Sequence, residues 1–197
     1  MILESRKLSD NLFSNFEIAG YVTEHNIANL VGVDLGTYGA VEEKVIKDPD
    51  YSVNPDLQEA FGAELDDLGR LHWLVCTRKV TTILEFGLGK STIVFDDALS
   101  KNKVRYQHLI KGVLRRNNQY QCHSVDNYDS WINEIKTNNQ LDTITYHKSD
   151  LLIGEFNGRV CSYYDPLPNL CPDFIYLDGP DQFSAVGDVR GISTNHK

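Results

Sequence analysis

The sequence predicts an α/β fold: a parallel sheet with helices on both faces, preceded by an N-terminal helical extension. Three observations carry this. Strands alternate with helical segments from residue 80 onward, the fourth strand is largely apolar in its middle, and a helical stripe precedes the first of them. Residues 1–53 are assigned to the extension and 54–197 to the α/β domain.

The extension opens on Leu12, Phe16, Ala19, Val22, Ile27 and Leu30 at three-to-five-residue steps, an imperfect amphipathic helix. Three glycines and two prolines then interrupt it. A firmer helix opens at Asn54-Pro55, where Asn caps and Pro suits the first turn. Its stripe runs through Leu57, Phe61, Leu65, Leu68, Leu71 and Val75. Residues 80–86 form the first strand, followed by a helix from Ser91 to Leu99. A second helical piece covers about 103–116, with Val104, His108, Val113 and Leu114 facing inward. Residues 119–126 read as a strand, 127–138 as a helix, 143–150 as a third strand and 172–180 as a fourth. Apolar strands of this kind are buried on both faces, and right-handed crossovers place ligands at their carboxyl ends.

Composition narrows the function. The 197 residues carry a net charge of −9, which argues against a nucleic-acid surface. The basic clusters at 77–79 and 101–116 are short, and the second reads as a solvated helix face. No run reaches the roughly 18 apolar residues of a membrane span, and the N-terminus is too polar for a secretory signal, so the expectation is a cytoplasmic protein without a membrane partner. Cys76, Cys122, Cys161 and Cys171 lack metal-ligand spacing and read as reduced packing thiols.

The chemistry concentrates in residues 81–95, TTILEFGLGKSTIVF. A phosphate loop requires a glycine five positions before Gly89, where Leu84 stands inside the strand. A dinucleotide fingerprint requires a third glycine where Thr92 stands, and its ribose acid is due about 20 residues on, whereas Asp126 lies 37 past Gly89. The stretch ILEFGLGKST resembles the first motif of class I S-adenosylmethionine-dependent methyltransferases, an acid followed by G-x-G between the first strand and helix. The likeness continues in order over about 80–181, through HSVDN, HKSDL and DFIYLDGPD.

The resemblance implies a Rossmann-like domain. It implies a cofactor set of Glu85, Gly87, Gly89, Ser91, Asp126, Asn127 and Asp150, with Asp126 on the ribose hydroxyls, Asp150 near the adenine and Glu85 toward the ammonium. Asp178 and Asp181 become the catalytic pair beside the transferred methyl. They look similar to the acid-rich turn of catechol-type O-methyltransferases, which bind a divalent metal there; turn formation is the preferred reading, and no metal ligand is assigned. Independently of the family, a glycine turn admits a ligand to the backbone, a helix start offers amide donors to a carboxylate, and Asp126 suits vicinal hydroxyls.

The expected function is methyl transfer from S-adenosylmethionine to a small-molecule or sugar-like acceptor, as in O-methylation. The alternatives are a degenerate nucleoside- or partner-binding domain without turnover, and a nucleotide hydrolase using Lys90, Ser91 and Asp178. Only 19 residues follow Asp178, so the family's fifth to seventh strands have no sequence here. The expectation is a shortened product whose sheet is incomplete at that end, with cofactor binding better preserved than turnover. Covering of the open edge by a second copy, a homo-oligomer, or by the N-terminal helices is the other option.

Overall fold

The computed structural model describes residues 17–33, 64–115, 117–180 and 185–193. The chain divides into two compact units, Met1–Arg70 and Leu71–Lys197. The expected boundary at 53 and 54 lies outside the described residues, as do Leu12, Phe16, Leu57 and Phe61.

In the first unit, α1 (Ile18–Glu24) and α2 (Ile27–Val31) replace the single helix expected there. The break falls at Asn26, whose φ of 55° is left-handed, a conformation Asn tolerates and helices do not continue through. Val22 and Ile27 are buried as expected, Leu30 is half-buried, and Ala19 is exposed. Helix α3 (Leu65–Thr77) begins in this unit and ends in the second. A side chain at Gly69 would meet Val22 Cγ2 at 2.7 Å, so glycine there lets the two helices approach.

The second unit is built on a four-stranded parallel sheet flanked by helices. Its strands are β1 (Thr82–Phe86), β2 (Gln121–Asp126), β3 (Ile144–Lys148) and β6 (Phe174–Leu177), in the order β3-β2-β1-β6. Helix α4 (Lys90–Ile110) joins β1 to β2, and α5 (Asp129–Asn138) joins β2 to β3. The chain then crosses back to β6 through an antiparallel hairpin, β4 (Asp150–Phe156) and β5 (Arg159–Asp165). A short pair, β7 (Asp188–Val189) and β8 (Ile192–Ser193), follows.

Side chains alternate along the strands, and the core alternates with them. Ile83 and Cys122 pack on one face with Val75 of α3 and Phe95, Ala98 and Leu99 of α4. Leu84 and Val125 pack on the other face against Leu151 and Tyr164 of the hairpin and Ala185. The cover over this second face is thus a hairpin.

Two expectations at element level are corrected. The helix expected to break after Leu99 runs unbroken for 21 residues, because Ser100 to Lys103 contains no residue that stops a helix. Of its supposed inward positions, Val104 is 87% exposed, Val113 is 72% exposed and His108 is exposed, while Leu114 is half-buried. The third strand ends at Lys148, and Asp150 opens the hairpin instead.

Candidate functional site

The strand order reverses between β1 and β6, so their carboxyl ends form the topological switch point where open parallel sheets leave a crevice. The glycine turn after β1 lies there. Gly87 has φ 89°, and a Cβ on it would sit 2.5 Å from the Asp178 carbonyl oxygen, so two chain segments in close approach demand glycine. Its N–H donates to Val125 O at 2.9 Å, and Asp178 N–H donates to Phe86 O at 2.9 Å. Gly89 differs: among the described residues, chain neighbours aside, no atom lies within 4 Å of a Cβ built on it, which leaves that space open.

Glu85 is fully buried one position before the end of β1. Ser91 Oγ donates to its Oε1 at 2.6 Å, while Thr92 Oγ1 at 2.9 Å and Ser124 Oγ at 2.6 Å donate to Oε2. Thr92 Oγ1 in turn accepts the Gly89 N–H at 3.1 Å, so the acid is linked through one hydroxyl to the turn. Burial pushes the Glu85 carboxyl up to about 7 against the pull of the three hydroxyls, with the Asp178 charge adding to the rise. Burial and the neighbouring Glu85 likewise hold the Cys122 thiol well above its usual range.

Asp126 ends β2 and is buried. Its Oδ2 accepts the Leu88 N–H at 3.0 Å and its Oδ1 accepts the Tyr128 N–H at 2.8 Å. The carboxylate therefore ties the β1 turn to the end of β2. Each oxygen keeps one lone pair, which is the capacity two vicinal hydroxyls require. Half-buried Asn127 follows it, and Ser149 N–H donates to the Asp126 carbonyl at 3.0 Å.

Glu85, Gly87, Gly89, Ser91 and Asp126 thus form one hydrogen-bonded corner. Asp150 stands apart on the hairpin, opposite Asp165, with an exposed side chain 3.5 Å from Lys148 Nζ. Asp178 is exposed directly after β6, and Asp181 lies outside the described residues. Sequence reading missed Thr92 and Ser124. Ser124 is set opposite Glu85 by the β1–β2 register, which no local pattern encodes. Thr92 carried a readable signal, a second hydroxyl in the first turn of a helix after a strand-end acid.

Among the described residues, no cluster of three or more His, Cys, Asp or Glu side chains is arranged to hold a metal ion. No helix among them is long and apolar enough to cross a membrane. No protein-family model, curated protein or solved structure matches the chain.

Proposed function

We propose that the chain is an S-adenosylmethionine-dependent methyltransferase that acts on a hydroxyl of a small-molecule or sugar-like acceptor. The observation that carries this reading is the corner at the switch point, where Asp126 with two free lone pairs faces a glycine turn left open at Gly89. A nucleoside fits that donor set, since its ribose presents two adjacent hydroxyls. Asp126 holds them, and Gly89 admits the ligand to the backbone at the start of α4. The hydroxyl cage around Glu85 keeps the turn in place.

S-Adenosylmethionine, when bound, supplies a methyl group already activated on a sulfonium. The protein's task is alignment, worth up to ~7–11 kcal/mol in favourable cases. A hydroxyl acceptor also has a proton to lose. Asp178, exposed beside the turn, is the residue we assign to take it, with Asp181 as the second acid of the sequence reading.

A thermal-shift titration with S-adenosylhomocysteine, run beside ATP–magnesium and NAD, tests this. Ligand at about 100 times its dissociation constant adds ~2.7 kcal/mol, and each kcal/mol moves the midpoint by roughly 2–4 °C at this size. S-Adenosylhomocysteine alone is expected to stabilise, and Asp126→Ala is expected to abolish the shift. A magnesium-dependent ATP shift lost in Lys90→Ala would replace this reading with the hydrolase.

A further inference from the structure

The other end of the sheet carries a feature that methyl transfer does not use. Six of the 19 Lys and Arg residues, and none of the 28 Asp and Glu, lie between residues 98 and 125. Helix α4 is 21 residues long, about 31 Å, while a five-residue strand such as β1 spans about 17 Å. The helix starts at the glycine turn, runs antiparallel to the strands, and overshoots their amino ends. Asn102 fixes the overshoot in place, donating to the Val75 carbonyl at 2.9 Å and the Val80 carbonyl at 3.0 Å. The same contact brings the second basic cluster alongside, and Lys79 Nζ sits 5.1 Å from the Tyr106 ring centroid.

The fold therefore gathers at one end what the sequence holds in two places. Arg78, Lys79, Lys103, Arg105, Lys111 and Arg115 are all exposed, and none has a carboxylate within 4 Å among the described residues. Among these cations Val104, Leu109 and Val113 are 87%, 59% and 72% exposed. A merely solvated helix end needs the cations but not the aliphatics.

We propose that this end of the molecule docks on an anionic lipid surface. The unpaired cations complement negative headgroups, each contributing about a fivefold gain in partitioning near such a surface. The aliphatic side chains enter the boundary between headgroups and acyl chains. Single-stranded nucleic acid is disfavoured as the occupant, because its bases take stacked aromatic platforms, and the one tyrosine here is beneath Lys79. The lack of an apolar span, which set the expectation of no membrane partner, concerns crossing the bilayer and not lying on it. The docking end is opposite the glycine turn, so the proposed cofactor corner stays open to solvent. The inference is independent of the methyltransferase reading.

The test is co-sedimentation of the full chain with phosphatidylcholine vesicles, with and without about one third phosphatidylglycerol, at low and high salt. Binding to the phosphatidylglycerol vesicles alone, weakened by salt, is expected. The triple variant Lys103→Glu, Arg105→Glu, Lys111→Glu should lower partitioning at least tenfold. Lys136→Glu with Lys148→Glu, reversing charges on α5 and β3, should change it less than threefold. Leu109→Ser with Val113→Ser should remove the part of binding that survives salt. Equal binding to both vesicle types, or a triple variant that binds like the parent, would overturn the proposal. So would capture by a soluble polyanion such as heparin at equal strength with no effect of the Leu109 and Val113 changes. The thermal midpoint of each variant, within about 2 °C of the parent, confirms that folding is intact.

Discussion

At the scale of single residues, the two glycines of the turn separate a structural role from a binding one. Gly87→Ala places a methyl against the Asp178 carbonyl and a non-glycine residue at φ 89°, and should cost about 2 kcal/mol or more of stability. Gly89→Ala meets no atom within 4 Å among the described residues beyond its chain neighbours, and its φ of −177° is ordinary extended backbone, so the midpoint should hold while S-adenosylhomocysteine binding falls at least tenfold. Calorimetric unfolding and titration on the same samples check both; unaltered affinity in Gly89→Ala would remove that residue from the cofactor site. Glu85 makes a pH-dependent prediction. Its carboxyl is raised from 4.5 to about 7 by burial, so between those values the folded state holds a proton that the unfolded state has released. Stability from this group is present in full below about pH 4.5 and is lost as pH rises through 7, by about 3 kcal/mol in all. Glu85→Gln has no proton to release, so the parent midpoint should fall more steeply than the variant's between about pH 5 and pH 8. Parallel curves would mean that the three hydroxyls keep Glu85 ionised throughout.

At the scale of elements, the hairpin β4–β5 stands where a crossover helix would otherwise cover the sheet. Leu151 is 3% exposed and packs on Leu84 and Val125, so Leu151→Ala should cost about 2–4 kcal/mol. Phe156, 71% exposed near the hairpin tip, should change stability by no more than about 0.5 kcal/mol when replaced by Ser. Urea midpoints compare the two, and equal costs would mean that the hairpin does not serve as cover. This element was the least anticipated part of the fold, although its sequence announces it. Asn157 and Gly158 both have positive φ, at 51° and 77°, as a two-residue hairpin turn requires, and Asn-Gly is the strongest short signal for one. The sequence pattern instead extends the third strand into Asp150 and offers no helical or strand period over 151–171. Strands β1 and β6 were legible because each is a short, largely apolar run followed by a glycine or an acid, and β2 because it ends in an acid just before a helical pattern. The exposure of Val104 and Val113 was not legible, since periodicity along α4 gives a direction around the helix and not the point where the sheet beneath it stops. The same division holds at the site. The strand-end positions of Glu85 and Asp126 could be read locally, whereas the Ser124 contact depends on register and the Leu88 contact on the path of the turn.

At the scale of the whole molecule, a net charge of −9 and a sheet edge that no strand pairs with among the described residues oppose one another. Strand β6 pairs with β1 on one side, and among the described residues no strand pairs with its other side. On the face opposite α4, its Ile175 and Leu177 are 61% and 69% exposed. An apolar edge strand is a template for association between chains. Long-range repulsion between copies of like charge holds it in check, but only over a Debye length, ~30 Å at 0.01 M salt and ~8 Å at 0.15 M. At about 0.01 M that length is comparable to the size of a small domain, so most of the net charge on each copy is felt, whereas near 0.15 M only charges close to the contact are. Light scattering at fixed protein concentration should therefore rise with salt over this range. Placing a charge on the strand should remove the rise, because burying a lysine between two edges costs more than the apolar contact returns. Ile175→Lys serves this purpose: its side chain is mostly in water, so the change should leave the thermal midpoint nearly where it was. If scattering in the parent is flat with salt, or rises equally in Ile175→Lys, the β6 edge is not where the molecules meet.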